Sequence, residues 1–152
     1  MWEDAASSSS PTRPGTLGDS YWAWEMELPA TRHAPGLARQ ATREVLLSWR
    51  VAHLEETAVL FVSELVTNAV RHADGQGATL VLRLEAAGTS LRIEVHDADP
   101  QHPQPGAPGG LDESGYGFVI IDALASKWGV SETSTGKAVW AEVDTRPGHQ
   151  PG

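Results

Sequence analysis

The sequence predicts an α/β two-layer sandwich of the α+β type, with helices on one face of a mixed β-sheet. Three observations lead there. The chain has 152 residues, 40 % of them hydrophobic, and no cysteine, which suits one domain held by a packed core and not by disulfides. Apolar residues alternate at period two in some stretches and recur at helical spacing in others. The order of these stretches is β-α-α-β-β-loop-α-β-β, which layers the helices on one side of the strands.

Charge and composition narrow the function. Lys and Arg total 11 against 20 Asp and Glu, a formal net charge of −9. That balance argues against direct binding of nucleic acid or of an anionic membrane. No apolar run approaches the roughly 20 residues that span a bilayer. The start, Met1-Trp2-Glu3-Asp4, is acidic where a signal peptide is basic. The expectation is a soluble, cytoplasmic protein. Without cysteine there is no thiolate nucleophile and no Cys-ligated zinc.

The elements follow in order. Residues 1–20 are rich in Ser, Pro and Gly and predict a disordered N-terminal tail; residues 145–152 read the same way, which leaves 21–144 as the domain. Trp22, Trp24, Met26 and Leu28 alternate with Ala23, Glu25 and Glu27, a half-buried strand. Pro29 and Pro35-Gly36 punctuate a loop, and a helix is expected over 37–50. A second helix, 54–73, has the strongest periodicity, with Ala58, Phe61, Val62, Leu65, Val66 and Ala69 on one arc. Strands at 79–85 and 91–97 flank a Gly88-Thr89 turn. Residues 98–114 hold four Pro and three Gly, a loop long enough to be functional or disordered. A short helix over 116–126 and strands at 128–132 and 139–143 complete the domain. Trp22, Trp24, Trp49, Trp128 and Trp140 fall at apolar phases and are expected in the core or at a subunit interface.

Three features could carry chemistry. Glu64, Asn68 and His72 lie four apart on the second helix, a stripe that turns about 40° per step along the rim of the apolar arc. A carboxylate there can accept a proton, and an amide oxygen is a hard neutral ligand for Mg²⁺; the same spacing also fits a plain polar face. Asp97 shares the phase of Leu91, Ile93 and Val95, so it either points inward and needs a donor or begins a solvated turn. Gly115-Tyr116-Gly117 opens a helix, where free N–H groups can meet phosphate; a plain turn has the same composition. No P-loop and no nucleophile elbow is present.

The order of these features resembles the GHKL, or Bergerat-fold, histidine kinase-like ATPases. Glu64-Leu65-Val66-Thr67-Asn68-Ala69-Val70-Arg71-His72-Ala73 looks like their N box, and Ile93-Glu94-Val95-His96-Asp97-Ala98-Asp99-Pro100 like their first glycine box. Gly115-Tyr116-Gly117-Phe118 is similar to the second glycine box, and Gly136-Lys137-Ala138-Val139-Trp140 to the closing strand. Within that superfamily the chain looks like the small anti-sigma-factor serine kinases and their stand-alone ATP-binding relatives.

That resemblance implies ATP and Mg²⁺ as cofactors, bound under a flexible lid at 98–114. By position Asn68 would hold Mg²⁺, Glu64 would be the catalytic base and Asp97 would receive the adenine amine. Gly115, Tyr116 and Gly117 would face the phosphates, with His72 and Asp99 lining the site. The implied activity is a serine/threonine protein kinase that regulates transcription. Its implied partners are an anti-anti-sigma protein, which it phosphorylates, and a sigma factor, which it sequesters; a homodimer is also implied. The alternative is a non-catalytic, nucleotide-dependent binding module. Three departures bear on the site. Asp99-Pro100 replaces the glycine part of the first glycine box, which usually reads D-x-G-x-G. Tyr116 stands where relatives often carry Arg, and Ala138 where a Thr usually supports the adenine-binding carboxylate, a change expected to weaken nucleotide binding.

Overall fold

The computed structural model describes residues 21–73, 77–97, 117–134 and 136–146. Residues 1–20, the whole 98–114 loop with Asp99, then Gly115, Tyr116 and the last six residues lie outside that set.

Strand β1 (Tyr21–Pro29) buries Trp22, Trp24 and Leu28, as its alternation requires. Helix α1 (Ala34–Ser48) starts three residues earlier than the sequence suggests. Pro35 sits in its first turn, where a missing N–H costs nothing and a preset φ favours the helix, so it opens the element. Arg50 ends it in the left-handed region at φ 63°. The Val51 N–H then reaches back to the Leu46 carbonyl at 2.9 Å, closing a Schellman-type cap with arginine where glycine is usual.

A 3₁₀ turn at Ala52–Leu54 leads into α2 (Glu55–His72). Glu55 and Glu56 occupy its first turn and Arg71 and His72 its last, the arrangement that complements the helix dipole. One face buries Ala58, Phe61, Val62, Leu65, Val66 and Ala69. Phe61 is fully enclosed, a burial worth about 1.5–3 kcal/mol. Strands β2 (Thr79–Ala87) and β3 (Ser90–Asp97) form the expected hairpin, with Gly88 at φ 60° in the turn, a conformation glycine adopts without cost. Helix α3 (Gly117–Leu124) and strands β4 (Lys127–Thr133) and β5 (Gly136–Asp144) follow. Thr145, just beyond β5, is buried, and its N–H donates to the Thr89 carbonyl at 2.9 Å.

The sheet order is β1-β2-β3-β5-β4. The two-layer α+β architecture is the one the sequence predicts, but every pairing in the sheet is antiparallel, where a mixed sheet was expected. Strand β4 does run parallel to β3, as a strand-helix-strand connection would have it. Strand β5 lies between them and pairs with both, so no parallel ladder forms.

Alternation divides the sheet into two faces. The inner face packs on α2 through Leu82, Leu84, Leu91, Ile93, Val95, Val139, Ala141 and Val143. Trp22 and Trp49 meet there with ring centroids 5.6 Å apart. Trp128 is partly buried against the same core. Trp140 is not, despite its apolar character. One residue out of phase with Val139 and Ala141, it falls on the outer face, where the Arg92 guanidinium lies 4.0 Å from its ring centroid.

Candidate functional site

The site elements converge because connections are short. Helix α2 reaches β2 across residues 73–78, and β2 pairs Val81 with His96 near the end of β3. The C-terminal half of α2 and the last residue of β3 therefore lie at the same end of the molecule. The first turn of α2 lies at the other end. There His53, just before it, hydrogen-bonds through Nε2 to the Thr145 carbonyl at 2.8 Å, and Thr145 joins the β2–β3 turn.

The stripe predicted on α2 sits at the rim of the buried arc. Glu64 and His72 are half-buried. Asn68 is only 6 % exposed, and its Oδ1 is approached by Arg71 Nη1 at 3.5 Å, a weak contact at the limit for a hydrogen bond. Ser63, beside Glu64, receives a hydrogen bond from Arg39 Nη1 at 3.1 Å, which ties α1 to α2 next to the stripe. Gly117 does open α3.

Asp97 points inward, which decides between its two readings. It is 8 % exposed, on the face it shares with Leu91, Ile93 and Val95. The donor that a buried carboxylate needs comes from a residue the sequence reading passed over. Lys137 pairs with Asp97 across the β3–β5 ladder, is 2 % exposed, and donates from Nζ to Asp97 Oδ1 at 3.1 Å. Glu132 of β4 is the next residue along that row.

The expectation for Ala138 is corrected by the same register. Ala138 pairs with His96 on the outer face, so a hydroxyl at 138 would point away from Asp97. Alternation alone began the last strand at 139 and left 137 and 138 without a face, although the closing-strand resemblance spans 136–140. Extending the Val143, Ala141, Val139 alternation back by one step would have placed Lys137 inward.

The chemistry of the donor set fits the groups the resemblance implies. Mg²⁺ keeps several waters and takes few protein oxygens when it arrives on a nucleotide phosphate. A single buried amide oxygen, that of Asn68, matches that habit. Among the described residues no group of three His, Asp or Glu could hold a metal alone. An inward carboxylate at the end of β3 suits an exocyclic amine. A separate depression of about 540 Å³, lined by Arg43, Ala52, His53, Glu55, Glu56 and Val59, lies at the far end of α2 and shares none of these residues.

The outer face has its own charge network. The hydrogen bond from His96, reinforced by Arg92, lowers the Glu94 carboxyl to about 2. Arg92 also reaches Glu142 at 2.9 Å, and its stacking on Trp140 adds a cation–π contact. Trp140 in turn lies across Gly129, where a Cβ would come within 2.9 Å of the indole. Near β1, Tyr21 and Arg83 converge on Glu85.

Fold and site together describe a small α+β domain in which Asn68, Asp97 and Lys137, three of its buried polar residues, lie towards one end of the sheet. The chain belongs to the histidine kinase-like ATPase domain family, which it matches over residues 28–143. It is also 36 % identical over 89 residues to an uncharacterised protein of Streptomyces coelicolor, a match covering 57 % of this chain and 84 % of that one. The family is one of ATP-binding domains. Among the described residues no helix is long and apolar enough to cross a membrane.

Proposed function

We propose that this chain is an ATP- and Mg²⁺-dependent serine kinase of the anti-sigma-factor type, acting in the cytoplasm as a homodimer on an anti-anti-sigma protein and holding a sigma factor when that antagonist is absent. The observation that carries the reading is the pairing of Glu64 with Asn68 one turn apart on α2, at the end of the molecule where Asp97 faces inward. Phosphoryl transfer asks mainly for positioning and charge neutralisation. Bound Mg²⁺ would neutralise phosphate charge. Asn68 holds that ion, Asp97 accepts a hydrogen bond from the adenine amine, and Glu64 accepts the proton from the incoming serine hydroxyl. His72, Asp99 and the Gly115-Tyr116-Gly117 segment complete the phosphate side, with residues 98–114 as the lid.

Phosphotransfer from radiolabelled ATP to the anti-anti-sigma proteins of the same genome tests this. The wild type should label one of them on serine. Glu64→Gln should bind ATP as before and lose at least a hundredfold in rate, the usual scale for removing a general base. Undiminished transfer by that variant would remove Glu64 from its role. ATP binding by the wild type without transfer to any of those proteins would leave the non-catalytic binding module as the function.

A further inference from the structure

No described helix packs on the outer face of the sheet; the core lies on the other side. The strand registers set the outward side chains in rows that cross the sheet. One row runs Glu85, Arg92, Glu142 and Lys127, from β2 through β3 and β5 to β4. Its signs alternate, minus, plus, minus, plus. Read from the other end the order is inverted, so the row laid over its own reverse sets every charge against its opposite. Contacts within the chain fix the array: Arg83 holds Glu85 at 3.1 Å and Arg92 holds Glu142 at 2.9 Å.

Two further rows agree with that reversal. In one, Val81 and His96 lie on the β2–β3 side, and the smaller Ala138 and Ser131 lie on the β5–β4 side. Reversal sets the large side chains against the small ones. The row between holds Trp140, whose Nε1 donates to Ser131 Oγ at 3.2 Å while Arg92 stacks on its ring. A fixed tryptophan and an arginine near the middle of a surface are the residues that contribute most at protein interfaces.

We propose that two copies of this chain meet through the outer faces of their sheets. The two-fold axis runs roughly along the strands, between β3 and β5. That operation reverses each row: Arg92 of each copy faces Glu142 of the other, and Glu85 faces Lys127. The inference rests on the homodimer in the reading above and names the surface that makes it. Four strands overlap, about 4.8 Å apart and about 24 Å long, so the contact buries roughly 1,000 Å² in all, near the lower limit for a specific interface. Charges that face each other across such a contact set register and partner choice more than affinity. The dimer is therefore weak and sensitive to salt.

The test is sedimentation equilibrium of the whole chain, using Lys127→Glu and Glu85→Lys. The Lys127 side chain is 70 % exposed, so its replacement leaves the core untouched; thermal melting verifies both folds. The wild type should dimerise at low salt, with a Kd that rises at least fivefold in 0.5 M salt. Each variant alone sets like charges against each other twice and should raise the Kd at least tenfold. An equal mixture of the two variants sets each Glu against a Lys again and should return the Kd to within about threefold of the wild type. Where Glu85→Lys fails to fold, Lys127→Gln takes its place and should fall between the wild type and Lys127→Glu. A Lys127→Glu dimer as tight as the wild type would overturn this face while leaving the homodimer standing. So would a mixture no tighter than its components. A wild type that stays monomeric would overturn the homodimer as well, and ATP titration of that monomer would judge the nucleotide reading separately.

Discussion

Arg92 on the outer face meets two carboxylates and an indole with solvent at hand, whereas Lys137 on the inner face meets Asp97 with almost none. The two cations occupy the same sheet, and each lies on a strand paired with the other's. Their surroundings make them different objects. Around Arg92 the charges are shared among Glu94, Glu142 and His96, and water can replace any one of them. Beside Lys137 the next inner-face rung is the apolar Val95–Val139 pair and Glu132 of β4 lies across from it, and the carboxylate of Asp97 has lost most of its hydration. Charge on the outer face lies on a surface that none of the described helices covers. Charge on the inner face lies at the end of the apolar core, buried with it.

The largest effect expected from this comparison is on stability. Lys137→Met should cost about 3–5 kcal/mol, because it strands a buried carboxylate. Adding Asp97→Asn should recover a good part of that loss. Arg92→Met on the outer face should cost no more than about 1 kcal/mol, as for a partly exposed ion pair. Urea unfolding of the three proteins measures all of this, and equal losses for Lys137→Met and Arg92→Met would dissolve the distinction between the faces.

A smaller effect sharpens the outer side. The Glu94 carboxyl in the folded chain lies at about 2, below its ordinary 4.5. As pH falls through this range, the unfolded chain takes up a proton that the folded chain refuses. Stability from Glu94 is therefore present above about pH 5 and is lost progressively towards pH 2, at most about 3 kcal/mol and less by what solvent screening removes. Denaturation midpoints against pH should show that slope in the wild type, and Glu94→Gln should flatten it. The smallest expected effect is at Ala138. Because its side chain belongs to the outer face, Ala138→Thr should leave ATP affinity within about twofold, whereas a marked gain would return position 138 to the site.

The contrast also explains what could be read from the sequence. Helix α2 was legible because eighteen residues at a 3.6 period average out local ambiguity. The inward aim of Asp97 was visible as one of two options, since alternation fixes a face only if the strand continues that far. The face of Trp140 and the inward aim of Lys137 were hidden for one shared reason. A strand flips every side chain with a one-residue change of phase, and β5 starts at Gly136, three residues before the apolar run that announced it. The antiparallel pairing depends on β5 coming between β3 and β4, a long-range choice with no local trace. Pro35 was read as punctuation because proline both ends loops and begins helices.

The order of strands also has a consequence for synthesis. Strand β5 is the last of the five to be made, yet it sits inside the sheet as the neighbour of both β3 and β4. A nascent chain that has emerged only as far as β4 has β1, β2 and β3 ready to pair, while β4 has no partner to join. It also carries Asp97 without its lysine and an exposed apolar β3 edge. Completion of the sheet and installation of Lys137 are thus a single late event.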